Sequence, residues 1–127
     1  MNRIVSFFLF VGISASYYLG CSDSGHHHDL SVNLPSLTDT VFASGDTIAL
    51  HGHVEGDEID MVHLGITRLD SAIMVFHLHQ HVDDDHFDID TMFIPIVSST
   101  TRYRLLLQAT DHEDRVDSLE HLFRVDP

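Results

Sequence analysis

Two stretches of the chain alternate apolar and polar residues with a period of two, on either side of a short turn signal. "MVHLGITR" sets Val62, Leu64 and Ile66 on one parity, and Met61, His63 and Gly65 on the other. "AIMVFHLHQH" sets Met74, Phe76 and Leu78 against His77, His79 and His81, and Leu69-Asp70-Ser71 lies between the two stretches. Successive side chains of a strand point to opposite faces, so each stretch reads as a half-buried strand and the pair as an antiparallel hairpin. Placing Ile66 opposite Met74 brings Leu64 to Phe76 and Val62 to Leu78, all facing one core. A slip of one residue would mix the faces, which burial forbids. This register sets His63 across from His77, with Cβ atoms about 4.5–5.5 Å apart, and His79 one step along.

The rest of the chain from Leu30 follows the same grammar. "LSVNLP" and Thr40–Ala43 are short strand candidates, and Ser44-Gly45-Asp46 is a turn before "TIALHGHVEG". "EGDEID" and the acidic run after His81 read as loops, followed by "FDIDTMFIPI", the turn "SSTT", "RYRLLLQATD" and "LEHLFRV". No segment carries a convincing helical period. About seven strands at this spacing predict an all-β fold, an antiparallel β-sandwich.

His63, His77 and His79 are the leading candidates for a metal site, because imidazole is a common ligand and three rings on one strand-pair face can share an ion. His81, His86, Asp83 and Asp85 are placed to close the coordination shell or to orient the ligating rings. His51 and His53 face outward on the strand from Thr47, which a sandwich assigns to the other sheet, so they read as a separate, weaker site or as none. His121 shares parity with Phe123 and Val125 and reads as half-buried and structural; His112 reads as a solvated loop residue. With one cysteine in the chain, neither a disulfide within it nor a Cys-based zinc site can form. Imidazole and carboxylate donors suit Zn(II), Cu(II) or Ni(II), and sequence does not choose among them.

The 20 acidic residues against 6 basic ones give a formal charge of −14. Such a surface repels nucleic acid and concentrates cations. No phosphate loop, nucleophile elbow or H-E-x-x-H helix is present, so the chain is read as non-catalytic.

Residues 1–20, "MNRIVSFFLFVGISASYYLG", have the form of a signal peptide: Arg3, an apolar stretch too short for a comfortable bilayer span, and a small residue before Cys21. Ser22 to Asp29, with His26, His27 and His28, is polar and glycine-containing and reads as a flexible tether, its histidines either a solvated low-complexity patch or a loose, exchangeable metal catcher.

Two resemblances extend this reading. Leu19-Gly20-Cys21 resembles the lipobox of bacterial lipoproteins, with Tyr18 where that pattern prefers leucine. "ASGDTIALHGHV", "FIPI" and Tyr103, Leu105, Leu107, Ala109 and Asp111 of "YRLLLQATD" resemble strands B, E and F of bacterial Ig-like and cadherin-like domains. Together they resemble a family of bacterial lipoproteins with a single His-rich Ig-like domain. That resemblance implies a division into 1–20 (signal peptide), 21–29 (lipidated Cys21 and tether) and 30–127 (β-sandwich). It also implies a lipid anchor in the cell envelope, outer membrane by the sorting context of Ser22 and Asp23. His112-Glu113-Asp114 replaces the Gly-Asn expected after the strand F aspartate, so the calcium pattern of cadherins is not carried over.

Two functions remain open on sequence. One is an envelope lipoprotein that captures, buffers or delivers a transition metal, with an outer-membrane transporter as a candidate recipient. The other is an Ig-like interaction or adhesion module whose histidines are incidental or sense pH.

Overall fold

The computed structural model describes residues 28–127. The readings of the signal peptide, Cys21, His26 and His27 lie outside the described residues. The described residues form an all-β fold of six strands: β1 (Ser31–Asn33), β2 (Val41–Ala43), β3 (Ile48–Arg68), β4 (Met74–Phe93), β5 (Thr101–Asp111) and β6 (Val116–Asp126). They make one sheet in the order β1-β3-β5-β6-β2, with β4 paired to β3. Pairing is antiparallel except for β2 and β6, which are parallel.

The expected sandwich of about seven antiparallel strands is corrected to six strands in one curled, mixed sheet. The reason lies in the two acidic segments that read as loops. Both continue the strands through bulges. The β3–β4 ladder shifts register between Glu55 and Ile59 and again between Ile59 and Met61, with Glu58 at φ 50° and Asp83 at φ 51°. Bulges bend the strand that carries them and sharpen its twist. The hairpin therefore folds back on itself, and the Phe76 and Phe93 rings, from opposite ends of β4, stand 6.3 Å apart. Val32 N–H of β1 reaches the Asp117 carboxylate of β6 at 3.0 Å, closing the curl from the other side.

The core lies inside this curl. Leu50, Val54, Ile59, Val62, Leu64 and Ile66 of β3 pack with Leu105, Leu107 and Ala109 of β5 and Val125 of β6, all fully buried. Tyr103 stacks on Phe123 at 5.3 Å and meets Phe93 edge-on at 5.7 Å. The inward row of β5 ends in Asp111, which is 1% exposed. Burial pushes its carboxyl upward, but hydrogen bonds from Arg115 and from the Glu113 amide outweigh that and hold it below 3.8.

β1 lies close on β3 at Gly52. A Cβ there would stand 2.2 Å from the Asn33 carbonyl oxygen, so only glycine permits this approach.

Candidate metal centre

The outward face of the β3–β4 hairpin carries the histidines. Val62, Leu64 and Ile66 are buried, and Phe76 and Leu78 pack half-buried against the core. His63, His77 and His79 point the other way, as the alternation predicts.

The register differs from the expected one. His63 is opposite His79, and His77 is opposite Gly65. The turn is longer than Leu69-Asp70-Ser71: the Arg68 amide donates to the Ile73 carbonyl, and Ala72 takes φ 54°. A bulge between Ile66 and Thr67 then leaves Val75 as the extra residue of β4, with Thr67 opposite Met74. The correction keeps the parity of residues 76–79 but reverses that of Met74. Expected in the core, Met74 lies on the histidine face and is 49% exposed.

Three rings converge here. The centroids of His63 and His77 are 4.7 Å apart, those of His63 and His79 6.0 Å, and those of His77 and His79 5.9 Å. Three imidazoles on one tetrahedral ion, with metal–nitrogen bonds near 2.0–2.1 Å, place their centroids about 5.2 Å apart, so the observed spacings bracket that value. Gly65 itself contributes no side chain between His63 and His77, and the end of Met74 occupies the space above it. Met61, His63, His79, Gln108 and Thr110 line an adjoining cleft of about 360 Å³.

Burial lowers the His63 pKa below 6.5, and the neighbouring His77 and His79 lower it further. A ring kept neutral keeps its lone pair for an ion. The same shift has a stability consequence. Well above pH 6.5 this ring is neutral in both folded and unfolded chains. As pH falls below 6.5, the unfolded chain takes up the proton first, so stability declines until the folded ring is protonated too. Urea midpoints of the metal-free protein at about pH 7.5 and about pH 5.5 should therefore differ less in His63→Gln than in the parent.

A second cluster sits at the bend. His81 Nδ1 is 3.1 Å from Asp60 Oδ1 and its Nε2 is 2.8 Å from Asp83 Oδ2, while His112 Nε2 is 2.9 Å from Asp83 Oδ1. Asp60, Asp83 and His112 each present one ligand atom, all within 4.8 Å of one another. Among the described residues it is the one set of three ligand atoms so close together; the nitrogens of His63, His77 and His79 stand farther apart, so those rings must rotate to turn one nitrogen each toward a common point. His81 stands between the two carboxylates, one ring nitrogen on each, and so links Asp60 to Asp83. Desolvation raises the Asp83 pKa, and the hydrogen bonds from His112 and His81 more than reverse it, so the carboxyl is held below 3.8.

The third set lies on the far half of the hairpin. His53 and His86 stack at 6.4 Å, His86 Nε2 is 2.8 Å from Asp88, and His51 Nδ1 is 2.8 Å from Asp90. His51 and His53 are on β3 itself, the strand that also carries His63, and not on a second sheet. His28, Glu55, Asp85 and His86 line a cleft of about 190 Å³, so the last tether histidine meets the acidic face there.

Asp60 and His112, which the structure groups with Asp83, were not among the expected ligands, and His86 and Asp85 line the cleft beside His28 instead of standing with the three strand histidines. Asp60 was hidden in a segment that reads as a loop. His112 reaches Asp83 through the pairing of Ile59 with Asp111, a long-range contact with no local signature. His121 is half-buried as expected, stacked on Phe123 and 2.8 Å from the Asp39 carbonyl oxygen. No protein-family model matches the chain, and no curated protein matches it.

Proposed function

We propose that this chain binds transition-metal ions on the outward face of the β3–β4 hairpin and serves metal capture, buffering or delivery at the cell envelope. One observation carries the reading: three imidazole rings stand 4.7–6.0 Å apart on one strand pair. The Asp60/Asp83/His112 group supplies a second, oxygen-rich set, better suited to Zn(II) or Ni(II) than to a soft ion. The formal charge of −14 supports the reading by drawing cations toward both.

The lipobox-like Leu19-Gly20-Cys21 supports a lipid anchor on Cys21, which would hold the domain at a membrane surface near a transporter able to receive the ion. The inward row from Tyr103 to Asp111 supports an Ig-like ancestry for the curled sheet. The role is binding and not catalysis.

Isothermal calorimetry on the tag-free protein, with His26, His27 and His28 replaced by serine, tests this directly. Zn(II) should bind with a dissociation constant of about 10 μM or tighter, the range in which a few imidazole and carboxylate ligands on a folded scaffold hold an ion. No heat of binding at millimolar metal would remove the proposal.

A further inference from the structure

We propose that Met74 is the fourth ligand of the His63/His77/His79 cluster and makes that cluster selective for Cu(I). This rests on the metal-binding reading above and names the ion for one of its two sets of ligands.

Gly65 is the centre of the geometry. From the position a Cβ would occupy on Gly65, the Met74 Cε lies at 3.4 Å, its Sδ at 3.7 Å and the His63 Cε1 at 3.5 Å. The thioether and the His63 ring thus lean over the same glycine, and His77 is that glycine's partner across the ladder. A methionine has three rotatable side-chain bonds, so its sulfur can follow an ion held by the rings without moving the backbone. The bulge at Val75 is what delivers it. Without that extra residue Met74 would point into the core with Phe76 and Leu78.

Donor softness decides the ion. A thioether is a poor ligand for Zn(II) and a good one for Cu(I), whereas imidazole serves both. Three imidazoles and one thioether favour the soft monovalent ion, while the carboxylates of Asp60 and Asp83 at the bend favour a harder divalent one. The two neighbouring clusters would sort ions by donor chemistry. Met61 lines the cleft next to His63 and His79, which makes it the control for which sulfur binds.

Met74→Leu conserves volume at a half-exposed position and leaves the fold intact. The full chain is titrated with Cu(I) under anaerobic, reducing conditions against a chromophoric Cu(I) chelator, and with Zn(II) against a chromophoric zinc chelator. Met74→Leu should weaken Cu(I) binding by about tenfold or more and change Zn(II) binding by less than about twofold, because only the soft donor is lost. His63→Ala should weaken Cu(I) binding at least as much. X-ray absorption of copper-loaded, selenomethionine-labelled protein should show a selenium neighbour that disappears in Met74→Leu, which distinguishes Met74 from both Met61 and Cys21. Cu(I) binding that depends on His63 but is unaffected by Met74→Leu, or a selenium neighbour that survives the substitution, overturns the assignment of Met74 alone. Binding of both metals unaffected by His63→Ala overturns the reading beneath it.

Discussion

Replacing His63 and His77 together by alanine should weaken metal binding at the strand cluster by about a hundredfold or more, since one imidazole in place of three cannot hold a transition ion against water. Both side chains lie on the outward face, and His77 is exposed, so the fold should be unchanged within about 0.5 kcal/mol. Calorimetry gives the affinity, and urea unfolding of the metal-free variant confirms that it is folded. Asp83→Asn combined with His112→Ala is the complementary variant. It removes two of the three ligand atoms at the bend and should leave the imidazole cluster its affinity. A double-alanine protein that binds as tightly as its parent would mean that the three rings are only a solvated surface.

The largest effect on stability is expected from Gly52→Ala. Substituting alanine for glycine in a strand usually helps slightly, because it restricts the unfolded chain by about 0.4–1 kcal/mol. Here the added methyl would stand 2.2 Å from the Asn33 carbonyl oxygen and 2.9 Å from a Leu34 side-chain carbon. Backbone cannot yield as a flexible side chain can. β1 must move off β3, loosening Val32, Leu34 and Leu37, all of which are buried. The expected net loss is about 2–4 kcal/mol, the sum of overpacking and partial exposure of those side chains. A denaturant melt measures it. Gly65→Ala is the informative contrast, because its new contacts at 3.4–3.7 Å are with the far ends of Met74 and His63. It should leave the fold nearly as stable while crowding the cluster.

The strands and the core were legible in the alternation of residues 62–66, 76–79 and 103–111, because burial of one face leaves a period of two in the sequence. The all-β character followed from that alone. The number of strands did not, since acidic residues mark a solvated backbone equally well in a loop and in a bulged strand. "EGDEID" is read as a break, but its Ile59 is fully buried and paired to both neighbouring strands. The register was missed for a related reason: a bulge adds one residue to one strand only, and composition does not announce it. The histidine face survived that error because the shift for residues 76–79 is an even number of positions. Met74 did not, lying beyond the bulge. Asp60 and His112 were out of reach of any reading confined to neighbours in sequence.

The bend has one more consequence. An ion held by Asp60, Asp83 and His112 would tie residues 52 positions apart (112 minus 60) and clamp the tip between β5 and β6 to the middle of the long hairpin. In a chain whose single cysteine can form no internal disulfide, such a clasp would do what a crosslink does, restricting the unfolded ensemble as well as holding the native one. At a free ion concentration about a hundred times the dissociation constant, it would add roughly 2.7 kcal/mol of resistance to unfolding. The durability of this domain would then rise and fall with the mineral content of its surroundings.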